Sequence, residues 1–346
     1  MVSRNSSNSA IDALLKRRQL KPIELLPWVA ALCVYFLLPQ YLPLGSQILI
    51  MVLFALSLDL TLGYAGVIIL GHAAFYGVGA YTAGLVAVGG WNEPLLGLVA
   101  AALAAGAVGL LSGIVILRTA ELALLMLGMA LALILFEMAN RLHWITGGFD
   151  GLQGIVIKPI LGYFEFDFFG ATAFLYSFTV LFVAWIFMRQ LVNAPFGRCL
   201  VGIQESPTRM EAIGTPVRNR KLTAFAISAA MAGVAGALSA QTTQFVSLSV
   251  FGFELSGTVL VMLVLGGAGR LYGAFVGVPL YMIAQDVFSK GDPVFWLFWL
   301  GLLLIAVVLF ARGGLLGVVD QLMHVARKRY SVRSGTSAET GSGTTS

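Results

Sequence analysis

Leu95–Leu117 reads LLGLVAAALAAGAVGLLSGIVIL, twenty-three residues without one charged side chain, closed only by Arg118. A helix needs about 20 mostly apolar residues to cross the hydrocarbon of a bilayer. The same window, moved outward, finds further apolar runs near residues 25–43, 46–63, 66–89, 119–138, 170–191, 222–245, 255–268, 271–289 and 294–311. These runs predict an all-α polytopic membrane protein of about ten transmembrane helices. The run 255–268 is short and holds Gly257. One or more of the ten is therefore expected to be short or broken, as a half-helix or re-entrant arm packed within protein.

Composition leads to the same class. Of 346 residues 59% are hydrophobic and only 11% charged, where a soluble domain carries about a quarter charged. The mean hydropathy is +0.91. Such a chain cannot coat itself with a water-compatible surface. Forty glycines agree with helices that approach closely in lipid.

The net charge of +5 does not point to nucleic acid, because the basic residues sit in short loops between apolar runs. If the ten runs all cross, eighteen Lys and Arg lie on the side of the N-terminus. Only Arg141, Lys158 and Lys290 lie opposite, which accounts for all 21. Basic residues concentrate on the cytoplasmic side of membrane proteins, so both termini are expected to be cytoplasmic. Residues 1–24 form the expected cytoplasmic N-terminal tail, 25–315 the transmembrane domain, and 316–346 a largely disordered cytoplasmic tail that ends in SVRSGTSAETGSGTTS. Residues 1–10 are polar, and no small-residue cleavage pattern follows the first apolar run, so that run is expected to remain as an anchor.

Several chemistries are excluded. There is no G-x-x-x-x-G-K-[ST] and no H-E-x-x-H, and His72, His143 and His324 are scattered. The chain therefore carries no P-loop for ATP, and no catalytic residue, metal ligand or cofactor is assigned. Cys33 and Cys199 form no plausible pair. Ionisable residues inside the runs are Asp59, His72, Glu137, Glu254 and Asp286, and such groups are costly in hydrocarbon. Asp59, Glu137 and Asp286 lie near span ends, where snorkelling to the headgroups suffices to explain them. His72 stands deeper, in GYAGVIILGHAAFYGVGAYTAG (Gly63–Gly84); it is either a cavity-facing group or a structural histidine bonded to a neighbouring carbonyl.

The glycines of that segment are denser than packing requires, and unwound backbone beside a solute path would account for them. The candidate pathway residues are Gly63, Gly66, Val67, Ile69, Gly71, His72, Gly77 and Gly79. By contrast, Gly109-x-x-x-Gly113 and Gly269-x-x-x-Gly273-x-x-x-Gly277 read as stripes for close helix packing. The inner loop Val192–Lys221 contains a short helix signal: Ser206 as N-cap, Pro207 at the first position and Gly214 just past the end. Met210 and Ile213, three apart, should share one face. With Glu205, Ser206, Arg209, Glu211 and Gly214 around them, they form a candidate surface for a partner that delivers energy.

Four segments resemble one family, the M-type permease subunits of the Liv branched-chain amino acid ABC importers. They are Gly63–Gly84, ITGGFDGLQGI (Ile145–Ile155), PFGRCLVGIQESPTRMEAIGTPVRNRKLTAFAISAAMAG (Pro195–Gly233) and VLGGAGRLYGAFVG (Val264–Gly277). They stand in the family's order and span roughly residues 45–315. The resemblance implies a fold of about ten helices in the bacterial inner membrane. It also implies a second homologous permease, two cytoplasmic ATPase subunits and a periplasmic solute-binding protein as partners, besides membrane lipid. Where the family commonly has Gln and Ser, this chain has Val67 and Ile69, and IGTP at Ile213–Pro216 replaces the commoner LGIN. The expected solute is thus a branched-chain amino acid or a related amide, urea or aromatic acid. The alternative from the residues alone is an ion-coupled secondary transporter without ATPase partners.

Overall fold

The computed structural model describes residues 26–119, 121–158 and 170–310, with 314, 315 and 317. The expected N-terminal tail, the C-terminal tail apart from residue 317, and the aromatic, acidic stretch 162–169 of the outer loop lie outside the described residues.

The described residues are helical throughout, apart from turns, loops and one isolated antiparallel bridge, Leu152–Val246. Among them five helical runs are long and apolar enough to cross a membrane: Pro39–Tyr64, Pro94–Ile116, Leu122–Arg141, Ala171–Asn193 and Val217–Thr243. Four shorter apolar helices, Leu26–Leu37, Ala73–Val88, Phe253–Gly266 and Trp296–Val307, accompany them. We number the elements used below α1 (Leu26–Leu37), α2 (Leu42–Asp59), α3 (Ala73–Val88), α4 (Pro94–Ile116), α5 (Glu121–Arg141), α6 (Ala171–Asn193), α7 (Pro195–Glu205), α8 (Pro207–Ala212), α9 (Val217–Thr243), α10 (Phe253–Gly266), α11 (Gly273–Gly291) and α12 (Trp296–Phe310).

The apolar runs differ from single spans at two places. The run 25–43 breaks at Leu38, because Pro39 disfavours helical backbone before it, and a 3-10 turn Pro39–Tyr41 leads into α2. The run 66–89 is helical only from Ala73. α10 is short, as Gly257 suggested. Its 14 residues rise about 21 Å at 1.5 Å each, less than the ~30 Å of a bilayer core.

The run containing α2 is 67% buried inside the protein and α9 61%, against 28% for α4 and α5. α2 and α9 are therefore central, while α4 and α5 turn leucines such as Leu103, Leu111 and Leu133 outward. α9 packs most extensively on α4 and α3, through small residues. Gly109 faces Ala229, and a Cβ at Gly113 would stand 2.7 Å from Phe225; the stripe on α4 is a packing stripe. On α3, Gly79 lies against the backbone of Gly233, and Gly236 of α9 against the carbonyl of Tyr76. Gly266, Gly273 and Gly277 bring α10 and α11 together backbone to backbone. α1 is anchored by Trp28, whose ring meets Phe178, Phe182, Trp185 and Phe275 at 4.9–5.4 Å between centroids.

Glu137 and Asp286 are where span-end carboxylates were expected. Each is paired one turn on, with Arg141 at 2.8 Å and Lys290 at 2.6 Å. These are exposed i,i+4 pairs of small energetic weight. Asp59 corrects the expectation. It is fully buried, because the loop between α10 and α11 closes over it.

Candidate functional site

α2 loses its regular turn just after Asp59. Leu60–Tyr64 forms a single π turn, with Ala65 N–H donating to the Leu60 carbonyl at 3.2 Å and Val67 N–H to the Thr61 carbonyl at 2.8 Å. Such turns often mark functional places in helices. Residues 66–71 then run unwound until α3 begins. Gly66 opens this segment at φ +66°, left-handed backbone that glycine adopts readily. Gly71 closes it with its α-carbon against the Gly128 carbonyl of α5, where no Cβ fits. Within the segment, burial alternates as in extended chain: Val67 and Ile69 are each 3% exposed, while Ile68 is 51% exposed.

His72 follows, almost completely buried. Its Nε2 is 2.9 Å from Ser57 Oγ. The Ser57 hydroxyl donates its one proton to the Phe54 carbonyl at 2.6 Å, so it accepts from Nε2–H. That fixes the tautomer. Nδ1 then carries a lone pair that meets no donor among the described residues. The ring stacks on Phe54, with centroids 5.5 Å apart and planes 16° from parallel. Of the two sequence expectations the structural histidine is nearer, with a hydroxyl rather than a carbonyl as its partner.

Two further helices converge there. Ser228 of α9 donates to the Ser57 carbonyl. Ser256 of α10 accepts from Ala73 N–H at 3.0 Å, which satisfies the first donor of α3. The Ala74 and Phe75 N–H groups bond to the Gly71 and His72 carbonyls. Ser256 was missed in the sequence, because nothing near it announces a partner 183 residues earlier.

The glycines here do not exceed packing needs, which corrects that expectation. Gly63 abuts Asp59 Oδ1 and the backbone of Gly269, Gly77 the ring of Phe251, Gly79 the backbone of Gly233, and a Cβ on Gly84 would stand 2.6 Å from Leu152. The candidate residues Gly63, Gly66, Val67, Ile69, Gly71, His72, Gly77 and Gly79 thus follow one another along the chain, Gly63 against the α10–α11 loop, Gly66 against Gln204 of α7 and Gly71 against α5, while Gly77 and Gly79 face different sides of α3.

The loop after α5 is held by several hydrogen bonds. Thr146 donates to the Ala139 carbonyl, and Leu152 exchanges two backbone hydrogen bonds with Val246, of 2.8 and 3.2 Å. A cleft of about 760 Å³ opens beside it, lined by Asn140, His143, Gly148, Asp150 and Gln153 among others.

The segment Val192–Lys221, expected as an inner loop, holds two helices. α8 is the expected one: Ser206 Oγ accepts from Arg209 N–H at 3.4 Å, and Gly214 terminates it at φ +82°, with Thr215 N–H reaching the Met210 carbonyl at 3.0 Å. Its bounds are Pro207–Ala212 rather than Pro207–Ile213. α7 was missed, although Pro195 at its first position and the i,i+3 series Gly197, Leu200, Ile203, all buried, were available signals. Met210 and Ile213 do not present a common face. Met210 turns onto α7, its Sδ only 2.8 Å from where a Cβ on Gly202 would stand, while Ile213 is 74% exposed. Glu205, Arg209 and Glu211 are exposed around it.

The family model described as "Branched-chain amino acid transport system / permease component" matches residues 42–311. The high-affinity branched-chain amino acid transport system permease protein LivM of Salmonella typhimurium is 30% identical over 321 residues, 84% of this chain and 72% of that protein. The protein of the same name in Escherichia coli is 31% identical over 302 residues, 79% of this chain and 69% of its own. The L-arabinose ABC transporter permease protein AraH of Azospirillum brasilense is 27% identical over 260 residues, 72% of each chain. No solved structure matches.

Proposed function

Because this chain belongs to the family of permease components of branched-chain amino acid transport systems, we propose that it carries a branched-chain amino acid, or a related amide, urea or aromatic acid, from periplasm to cytoplasm through the inner membrane. As an ABC importer permease it hydrolyses no ATP itself. It works with a second homologous permease, two cytoplasmic ATPases and a periplasmic solute-binding protein. Its transmembrane domain, residues 25–315, crosses about ten times with both termini cytoplasmic, flanked by the tails 1–24 and 316–346.

The observation that carries the mechanism is the unwound segment 66–71, set between a π turn and a helix that starts inside the protein. Non-helical backbone at membrane depth persists only where protein or a water-filled path surrounds it. The stretch from Gly63 to Gly79 borders the solute path in this reading. Val67 and Ile69, apolar and buried, make that border apolar. Force enters through α8, whose exposed Ile213 seats in an apolar groove of an ATPase with Glu205, Arg209 and Glu211 as polar rim.

Co-reconstitution with its ATPase and binding-protein partners in liposomes tests this. ATP-dependent accumulation of labelled leucine is expected, with L-arabinose and urea as comparison solutes. Uptake that ignores ATP and follows an imposed ion gradient would instead establish the secondary transporter.

A further inference from the structure

Asp59 carries the one fully buried carboxyl among the described residues. It lies at the end of α2 with no accessible surface. Its Oδ1 accepts from Gly269 N–H at 2.7 Å, across 210 residues of chain. Its Oδ2 meets no donor among the described residues. A buried carboxyl with a single hydrogen bond is costly, and an apolar residue would pack there at lower cost unless the bond itself matters.

The surroundings are shaped for that bond. Gly63, one turn on in the π turn, has no room for a Cβ, because Asp59 Oδ1 and Gly269 N occupy that space. Gly269 stands at φ +76° and Gly267 at φ +111°, and this left-handed backbone presents the Gly269 N–H to the carboxyl. Two glycines and one carboxyl thus join the α10–α11 loop to the turn from which the unwound segment departs.

We propose that Asp59 is a positioning residue for transport: as a hydrogen-bond acceptor it ties the α10–α11 loop to the π turn of α2, so that the loop and the turn from which the unwound segment departs move as one unit. This rests on the pathway reading above for its link to transport, but the tie itself does not depend on which solute is carried. The role asks for an acceptor oxygen, not for a charge.

Asparagine keeps an acceptor oxygen in the same place, whereas leucine and alanine do not. Amide hydrogen exchange of the full chain in nanodiscs should show residues 267–272 exchanging at least about tenfold faster in Asp59→Leu and Asp59→Ala. That is the scale of losing one such bond. Asp59→Asn should remain within about twofold of wild type. In the reconstituted transporter, ATP-dependent leucine uptake should follow the same order at equal protein abundance. The alanine variant, which empties space instead of crowding the loop, guards against failure of the leucine variant to fold. Asparagine behaving like leucine, or alanine exchanging and transporting like wild type, would overturn the proposal. A wild-type transporter that takes up no leucine would refute the substrate assignment while leaving the exchange result to judge Asp59.

Discussion

The imidazole of His72 donates from Nε2 to a Ser57 hydroxyl 2.9 Å away whose own proton is already committed to Phe54. The ring is thereby held in one tautomer and one plane where α2, α3, α9 and α10 meet.

His72→Phe keeps the stack on Phe54 and removes only this donor. Ser57 still donates to Phe54, so one acceptor goes unused. The loss should be about 1 kcal/mol, read as a modest fall in the melting temperature of the protein in detergent. His72→Ala also opens a cavity against Phe54 and Phe75 and should cost about 2–5 kcal/mol. Equal melting temperatures for the two variants would show that ring packing contributes nothing.

Glycines in this chain divide by what surrounds them. A methyl at Gly79 would enter the Gly233 backbone, and one at Gly71 the Gly128 carbonyl, whereas nothing lies within 4 Å of a Cβ at Gly257. Gly79→Ala and Gly71→Leu should sharply reduce folded protein in the membrane. Gly257→Ala, inside α10, should be neutral or stabilise by about 0.5–1 kcal/mol. Abundance by immunoblot and melting in detergent distinguish them, and a stable Gly71→Leu protein would contradict the packing described.

Ile213 and Met210 should now separate in their effects. Ile213→Asp puts a charge on the exposed end of α8 and should strip ATPases from the purified complex, since burying that side chain contributes about 1.5–3 kcal/mol. Met210→Ala loosens α8 from Gly202 of α7 and should lower stability of the loop before it affects docking. Normal ATPase co-purification with Ile213→Asp would remove α8 from the contact.

Topology rests on charge asymmetry. Reporter fusions should be active in the cytoplasm at Tyr330 and in the periplasm at Asp150. The reverse pattern at either site would break the ten-span reading.

The helical class was legible because stretches such as Leu95–Leu117 leave no other solution for an uncharged run of that length. The i,i+4 pairs of Glu137 with Arg141 and Asp286 with Lys290 were nearly legible, since both partners lie one turn apart. The caps of α8 were also readable, being local chemistry of Ser206, Pro207 and Gly214. What escaped was set by distant partners. Asp59 looked interfacial from its place in the run, yet it is buried and its hydrogen-bond donor, Gly269, lies 210 residues away. The glycines of 63–84 looked excessive, because Gly128, Gly233 and Phe251, which occupy the missing Cβ positions, come from other helices. The break at 66–71 sits in a run as apolar as any span. Hydropathy does not record backbone direction, and Gly66 alone marks the turn.

The contact of α3 with α9 has a kinematic meaning. At Gly79 with Gly233, and at Gly236 with the Tyr76 carbonyl, the two backbones mesh like teeth with no side chain between them to rotate aside. Sliding or a change of register would first require the pair to separate, which would open one of the most extensive helix contacts among the described residues. In the transport cycle proposed above, alternation between outward and inward access is expected to carry α3 and α9 as a single piece, with the bending at the joints at its ends: the unwound residues 66–71 and the short stretch from Gly214 to Pro216 that leads out of α8.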